Sequence, residues 1–140
     1  MPEKIPPFFV RKDIHVKPYD VDVLGHVSNI VYIRWLEDLR LTMLDTYLPL
    51  RGLMEKNVSP VLVRTEIDYI KPVELFDPLV GTCHITEVKG IRLHVAEEFS
   101  VNGEIRARAK QTGIFFDLAG QRPVRPPEEF MKKYREFSGA

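Results

Sequence analysis

Two aspartates, a glycine and a histidine stand close together in the stretch YDVDVLGHVSN, at Asp20, Asp22, Gly25 and His26. A carboxylate takes a proton from water or attacks an electrophilic carbon. A glycine lets the backbone bend close to a ligand. Immediately after them begins the one long helical pattern of the chain, and a helix N-terminus offers unpaired N–H groups and a partial positive charge. Carboxylates beside such a pole form a place for chemistry. Each residue also has a plainer reading. Asp22 serves as readily as a turn or capping carboxylate. Asp20 reads as a loop carboxylate bound to backbone, and His26 divides evenly between handling water or substrate and satisfying local backbone groups.

The helix that must position this loop begins near Ser28 or Asn29, both good N-cap residues, and runs to about Tyr47, before the Leu48-Pro49 step. Ile33, Leu36, Leu39, Met43 and Tyr47 form one apolar stripe, which Ile30, Val31, Tyr32, Trp35 and Leu44 widen. A face that wide predicts a helix covered on most of its girth, as by a sheet curled around it. Glu37 and Arg40, at i and i+3 on its polar line, are spaced for a salt bridge.

The remaining segments read as strands. Residues 8–17 alternate, with Val10, Ile14 and Val16 on one face; the preceding residues 1–7, rich in proline, read as a loosely held lead-in. A loop containing Gly52 and Pro60 follows the helix. Alternating runs then cover 61–71, 79–88 and 91–101, with Ile91, Leu93, Val95, Phe99 and Val101 sharing a side. Asn102-Gly103 is a two-residue hairpin signal, because both positions tolerate positive φ. In the last long strand, 104–117, Ile105, Ala107 and Ala109 face the helix, opposite Arg106, Arg108 and Lys110. Phe130, Tyr134 and Phe137 space a short closing helix. One helix followed by an antiparallel meander makes an α+β layer architecture, expected as a single domain over residues 1–140.

Composition narrows the function. Formal net charge is zero, which lacks the footprint of a nucleic-acid binder. The single cysteine, Cys83, permits no internal disulfide or Cys-based metal cage and reads as a core residue. His15, His84 and His94 lie on separate strands at no ligand spacing, so no metal or other cofactor is expected. No apolar run approaches a membrane span, and MPEKIPPFF lacks the order of a signal peptide; the expected location is the cytoplasm.

The segment DVDVLGHVSNIVYIRWLEDLR resembles the signature of the hotdog-fold acyl-CoA thioesterases of the 4-hydroxybenzoyl-CoA thioesterase type, through Asp20, Asp22, Gly25, His26, Val27, Asn29, Tyr32, Glu37 and Arg40. IDYIKPVELFDPL, at 67–79, is a second family-like stretch. Ser28 departs from the pattern, standing where the family usually has the first Asn of a pair. The resemblance implies an antiparallel sheet of five to six strands wrapped around one long central helix. It also implies two subunits pairing sheets edge to edge, as homodimer or homotetramer, and thioester hydrolysis at their interface. By carry-over Asp22 is the general base or nucleophile. The carbonyl-binding N–H belongs to Asn29 in a segment of Gly25, His26, Val27 and Ser28, and Glu37 is a reserve acid. The implied substrate is an acyl-CoA or acyl-carrier-protein thioester. Arg106, Arg108 and Lys110 are either a solvated face or phosphate ligands, with Arg64, Lys71, Arg122 and Arg125 as further candidates. A hotdog hydratase or dehydratase, and an acyl-binding hotdog protein without turnover, are the alternatives.

Overall fold

The computed structural model describes residues 5–138. Strand β1 (Val10–Ile14) leads through a 3-10 turn, Pro18–Asp20, to helix α1 (Asn29–Tyr47) and a second helix, α2 (Leu50–Glu55). Four long strands follow: β2 (Val58–Tyr69), β3 (Leu79–Lys89), β4 (Arg92–Val101) and β5 (Glu104–Asp117). A short β6 (Arg122–Val124) and helix α3 (Glu128–Ser138) close the chain. All pairings are antiparallel, in the order β1-β3-β4-β5-β2, with β6 added beside β5. The sheet curls about α1, as the hotdog resemblance implies.

Helix α1 starts and stops where its sequence says. It rests on β1 and β3. They pack closely at Gly81, where a Cβ would stand 2.9 Å from Ile14 Cδ1 and 3.1 Å from both Leu39 methyls. Ala107 and Ala109 are buried on the core face, as their size suggests. At Asn102 and Gly103 both φ angles are positive, at 50° and 81°, and the β4–β5 hairpin closes there.

Several expectations fail for identifiable reasons. The four long strands are not one meander: β3, β4 and β5 are, but β2 lies beyond β5. Residues 70–78 carry the chain back across the sheet, and no turn signal in them distinguishes this path from a hairpin. Strand β2 begins at Val58, not Val61, because Pro60 is tolerated on an edge strand. Helix α2 occupies what reads as a loop; six residues are too few to show a period. Of the lead-in, residues 1–4 lie outside the described range, while the Pro6 and Pro7 carbonyls accept from Phe9 and Ile85 N–H at 3.2 and 2.9 Å. Those two prolines are tied to the fold, not loose.

The expected cover around α1 is also incomplete within this chain. Val31, Tyr32, Trp35, Leu36, Leu39 and Met43 are buried. Ile30, Ile33 and Leu41 are 69%, 46% and 38% exposed, and with Glu37 they form a second stripe that the sheet does not reach. The aromatic residues of α3 pack where their spacing predicts: Phe130 stacks on Phe8 at 4.8 Å and meets Phe115 edge-on at 5.4 Å.

Strand β4 carries a surprise on its inner face. Between Val95 and Phe99 stands Glu97, 1% exposed, opposite Cys83 of β3. Neither of its carboxyl oxygens has a hydrogen-bond partner. Burial pushes its pKa up to about 8, with Arg40 drawing it back down. Burial likewise raises the Cys83 thiol, and Glu97 adds to that. The folded chain therefore keeps a proton that an unfolded glutamate releases near its ordinary 4.5. The contribution of Glu97 to folding stability therefore falls as pH rises through this window up to about 8. Glu97→Gln removes the titration, so its thermal midpoint should fall less than the native protein's over the same window, leaving it the more stable at the alkaline end. Melting curves for both proteins across the range check this. Parallel profiles would mean Glu97 does not titrate in the fold.

Candidate active site

The two aspartates of the loop do different jobs. Asp20 is 8% exposed; its Oδ2 accepts the Lys17 N–H at 2.9 Å, and its carbonyl accepts the Ser28 N–H at 2.9 Å. It ties the 3-10 turn to the start of α1. Asp22 is exposed. Its Oδ1 accepts the Leu24 and His26 N–H groups at 2.9 and 3.2 Å, and its own N–H donates to the His26 carbonyl at 2.8 Å. Gly25, at φ +78°, closes the turn. One carboxylate oxygen is thus fixed by the loop, and Oδ2 makes no hydrogen bond among the described residues. The turn-carboxylate reading of Asp22 describes half of the side chain and leaves the other half available.

The loop is pinned from beneath by residues 72–77. Val27 is buried and its N–H donates to the Val73 carbonyl at 2.8 Å. His26 bridges to Glu74, with Nε2 and Oε1 3.9 Å apart. Arg106 in turn holds this segment: Nη1 donates to the Pro72 carbonyl at 2.6 Å and lies 3.6 Å from Asp77, while Nε is 2.9 Å from Glu104. Phe76, 89% exposed, is held at φ +75° by the turn between Glu74 and Asp77. Arg106 is therefore an anchor of the site and not a free cation for phosphate. Arg108 pairs with Glu98 at 3.3 Å, Lys71 with Glu104 at 2.9 Å, and Arg64 with Glu66.

At the helix start, Ser28 has the extended backbone of an N-cap, but its side chain makes no capping bond. The Asn29 N–H finds no acceptor among the described residues, as expected of a first helical position. The Asn29 carbonyl accepts the Tyr69 hydroxyl at 3.3 Å. Tyr69 meets Tyr32 edge-on at 5.2 Å, and burial, then Tyr69, push the Tyr32 hydroxyl up to about 12.

Glu37 and Arg40 do not form the expected salt bridge. Glu37 is exposed and makes no hydrogen bond or ion pair among the described residues. Arg40 turns inward, where Nη1 donates to Gln111 Oε1 at 2.5 Å, and Gln111 Nε2 donates to Thr65 Oγ1 at 3.0 Å. Both Glu37 and Arg40 line a cavity of about 210 Å³ between α1 and the sheet, with Leu44, Val61, Leu93, Val95, Phe115 and Phe130 among its walls. At 1.5 Å rise per residue, Glu37 stands about 12 Å along the axis from Asn29. The loop and the cavity lip of one chain are separate places. Sequence reading missed Gln111, Val73 and Glu97; only Glu97 carried a signal, as an acid at an inward position of a strictly alternating strand. No group of three or more His, Cys, Asp or Glu side chains is gathered to hold a metal ion among the described residues. No helix among them is long and apolar enough to cross a membrane.

Residues 16–134 match the model of the Thioesterase-like superfamily. The chain is 26% identical over 130 residues to the long-chain acyl-CoA thioesterase FadM of Escherichia coli (strain K12), spanning 91% of this chain and 98% of that protein. A thioesterase from Thermus thermophilus, crystallised in complex with coenzyme A and Zn, superposes with a TM-score of 0.80 at 27% identity, over 93% of this chain and 94% of that one. The 1,4-dihydroxy-2-naphthoyl-CoA thioesterase Slr0204 from Synechocystis shares the fold, with a TM-score of 0.82 at 19% identity over 93% and 98% of the two chains.

The anchoring role of Arg106 is open to test. Arg106→Ala should free residues 72–77, speed amide exchange at Val27 and Glu74, and cost about 0.5–1.5 kcal/mol of stability, because water reaches the exposed Pro72 carbonyl and Asp77 keeps the Glu74 N–H. Unchanged exchange at Val27 would return Arg106 to the solvated surface.

Proposed function

The chain belongs to the Thioesterase-like superfamily, and from that premise we propose that it hydrolyses an acyl-CoA thioester, with Asp22 as general base or nucleophile and the start of α1 as oxyanion site. The observation that carries this reading is the half-engaged Asp22 carboxylate. Oδ1 is fixed by the Leu24 and His26 amides, and Oδ2 remains available on an exposed loop that runs into the helix N-terminus. As base, Asp22 takes a proton from water as its oxygen attacks the thioester carbon. The N–H of Asn29 receives the charge on the carbonyl oxygen, and collapse expels the thiol, which takes the proton back. As nucleophile, Asp22 attacks the thioester carbon and expels the CoA thiolate, leaving a mixed anhydride that water opens to release the free acid and restore the carboxylate, with the proton taken up by the thiolate. Gly25 has nothing within 4 Å of a would-be Cβ, so a ligand has room there. His26, Val27 and Ser28 set the path of the backbone. Glu37, unpaired at the cavity lip among the described residues, is the second candidate acid.

The apolar cavity suits the acyl group, and its distance from the Asp22 loop of the same chain argues for a second copy. Antiparallel pairing of two α1 helices would carry the loop of one protomer to the cavity of the other. Two surfaces favour such pairing. The exposed stripe of Ile30, Ile33 and Leu41 is one. The other is the β2 edge, twelve residues long, where Val61, Leu62 and Val63 are exposed. The opposite edge, β1, is short and charged at Arg11, Lys12 and Asp13, which discourages pairing. We take residues 1–140 as one domain and CoA as the carrier. The cytoplasm is the compartment that suits a single unpaired cysteine.

Light scattering at micromolar concentration should give at least a dimer mass; a monomer with intact activity would overturn the shared site. Asp22→Asn should lower thiol release from acyl-CoAs about 10²–10⁴-fold while fold and binding persist. Asp20→Asn should be far milder. Near-normal turnover in Asp22→Asn with a collapse in Glu37→Gln would move the chemistry to the helix. Acyl carrier protein thioesters run beside the CoA series test the carrier.

A further inference from the structure

The cavity wall carries a charge that a plain hydrocarbon would not use. Arg40 is half-buried on α1 and lines the cavity, and it spends one N–H on Gln111 Oε1 at 2.5 Å. Its other N–H groups find no acceptor among the described residues. Gln111, 2% exposed and held by Thr65, fixes the guanidinium from the sheet side. Glu97 lies near enough for its carboxyl to feel Arg40, yet it forms no ion pair with it. Held neutral by burial, it leaves the positive charge uncancelled. Leu44, Leu93, Val95 and Phe115 make the surroundings apolar. Covering a guanidinium with an alkyl chain costs desolvation with nothing returned. A carboxylate returns two parallel charge-assisted bonds, and an oxo or hydroxyl oxygen returns one.

Resting on the hydrolase reading above, we infer that Arg40 is a specificity-determining residue, and that the acyl group this cavity accepts bears an acceptor oxygen remote from the thioester. Gln111 is a positioning residue that acts through Arg40. The volume limits the rest of the acyl group. A cavity of about 150 Å³ takes up benzene, so about 210 Å³ accommodates one ring or a chain of modest length with its oxygen function.

Binding of non-hydrolysable thioether analogues of acyl-CoA, measured by titration calorimetry, tests this independently of turnover. Each saturated acyl analogue is paired with its ω-hydroxy and ω-carboxy counterparts of equal chain length, and benzoyl with hydroxybenzoyl. The native protein should favour the oxygenated member of the best-fitting set by about tenfold or more, carboxylate above hydroxyl. Arg40→Met should bring that ratio close to one, and Arg40→Lys should keep part of it, having the charge without the fork. Gln111→Leu should lower the ratio, whereas a merely structural role would weaken both members alike. Equal binding of paired analogues by the native protein, no binding of any, or an unchanged ratio in Arg40→Met overturns the inference. Should Arg40→Met fail to fold, the native ratio and Arg40→Lys decide. Thiol release from the matching thioesters reports separately on the hydrolase reading, which can fail while the binding preference stands.

Discussion

Helix α1 is apolar around more of its circumference than one curled sheet can cover, and much of the molecule answers to that mismatch. Strands β1 and β3 take one flank, closely enough that a side chain at position 81 would push aside Ile14 and Leu39. The other flank leaves Ile30, Ile33 and Leu41 in solvent beside a long apolar edge strand. Contiguous apolar area of this kind is the surface on which the proposed pairing of two copies rests. Between the two flanks the helix does not seal against β2 and β5, and the cavity lies in that gap.

The proposed site draws on elements whose stability comes from elsewhere in the fold. The 22–26 turn supplies its own hydrogen bonds through Asp22, but its position comes from Val73 below it, and Val73 belongs to a segment held by Arg106 of β5. A change on the distal strand therefore reaches the loop through two contacts. The polar line from Arg40 to Gln111 to Thr65 works in the same manner, joining helix, central strand and edge strand through the core. Buried polar groups cost stability unless satisfied, and Glu97, opposite Cys83 in the sheet, has no partner for either carboxyl oxygen.

Much of this was legible in the residues. Nineteen consecutive positions without a breaker, bounded by Ser28 and by Leu48-Pro49, leave little choice about α1. Asn102-Gly103 dictates a hairpin because both residues accept positive φ. The placement of β2 was not legible, since pairing with β5 is a long-range choice made by packing and residues 70–78 contain no local signal for it. Helix α2 and strand β6 are too short to display a period. The inward turn of Arg40 was hidden for another reason. Spacing along a helix shows which neighbours a side chain could meet on the surface, but not which core group across the sheet will compete for it. Asp22 was singled out by motif; the division of labour between its two oxygens is visible only in three dimensions.

Phe130 and Phe115 line the cavity side by side, and Phe8, buried and not itself part of the lining, stacks on Phe130 at 4.8 Å. The two stacked rings come from segments far apart in sequence: Phe8 lies just ahead of the first strand and Phe130 in the last helix. Under the proposed function the Phe130 wall acts as a ruler for the acyl group, and its mark depends on the contact between the two segments that flank the sheet. Under that reading a substitution at Phe8 moves the Phe130 wall and with it the acyl length that fits, while the loop that carries Asp22 stays untouched.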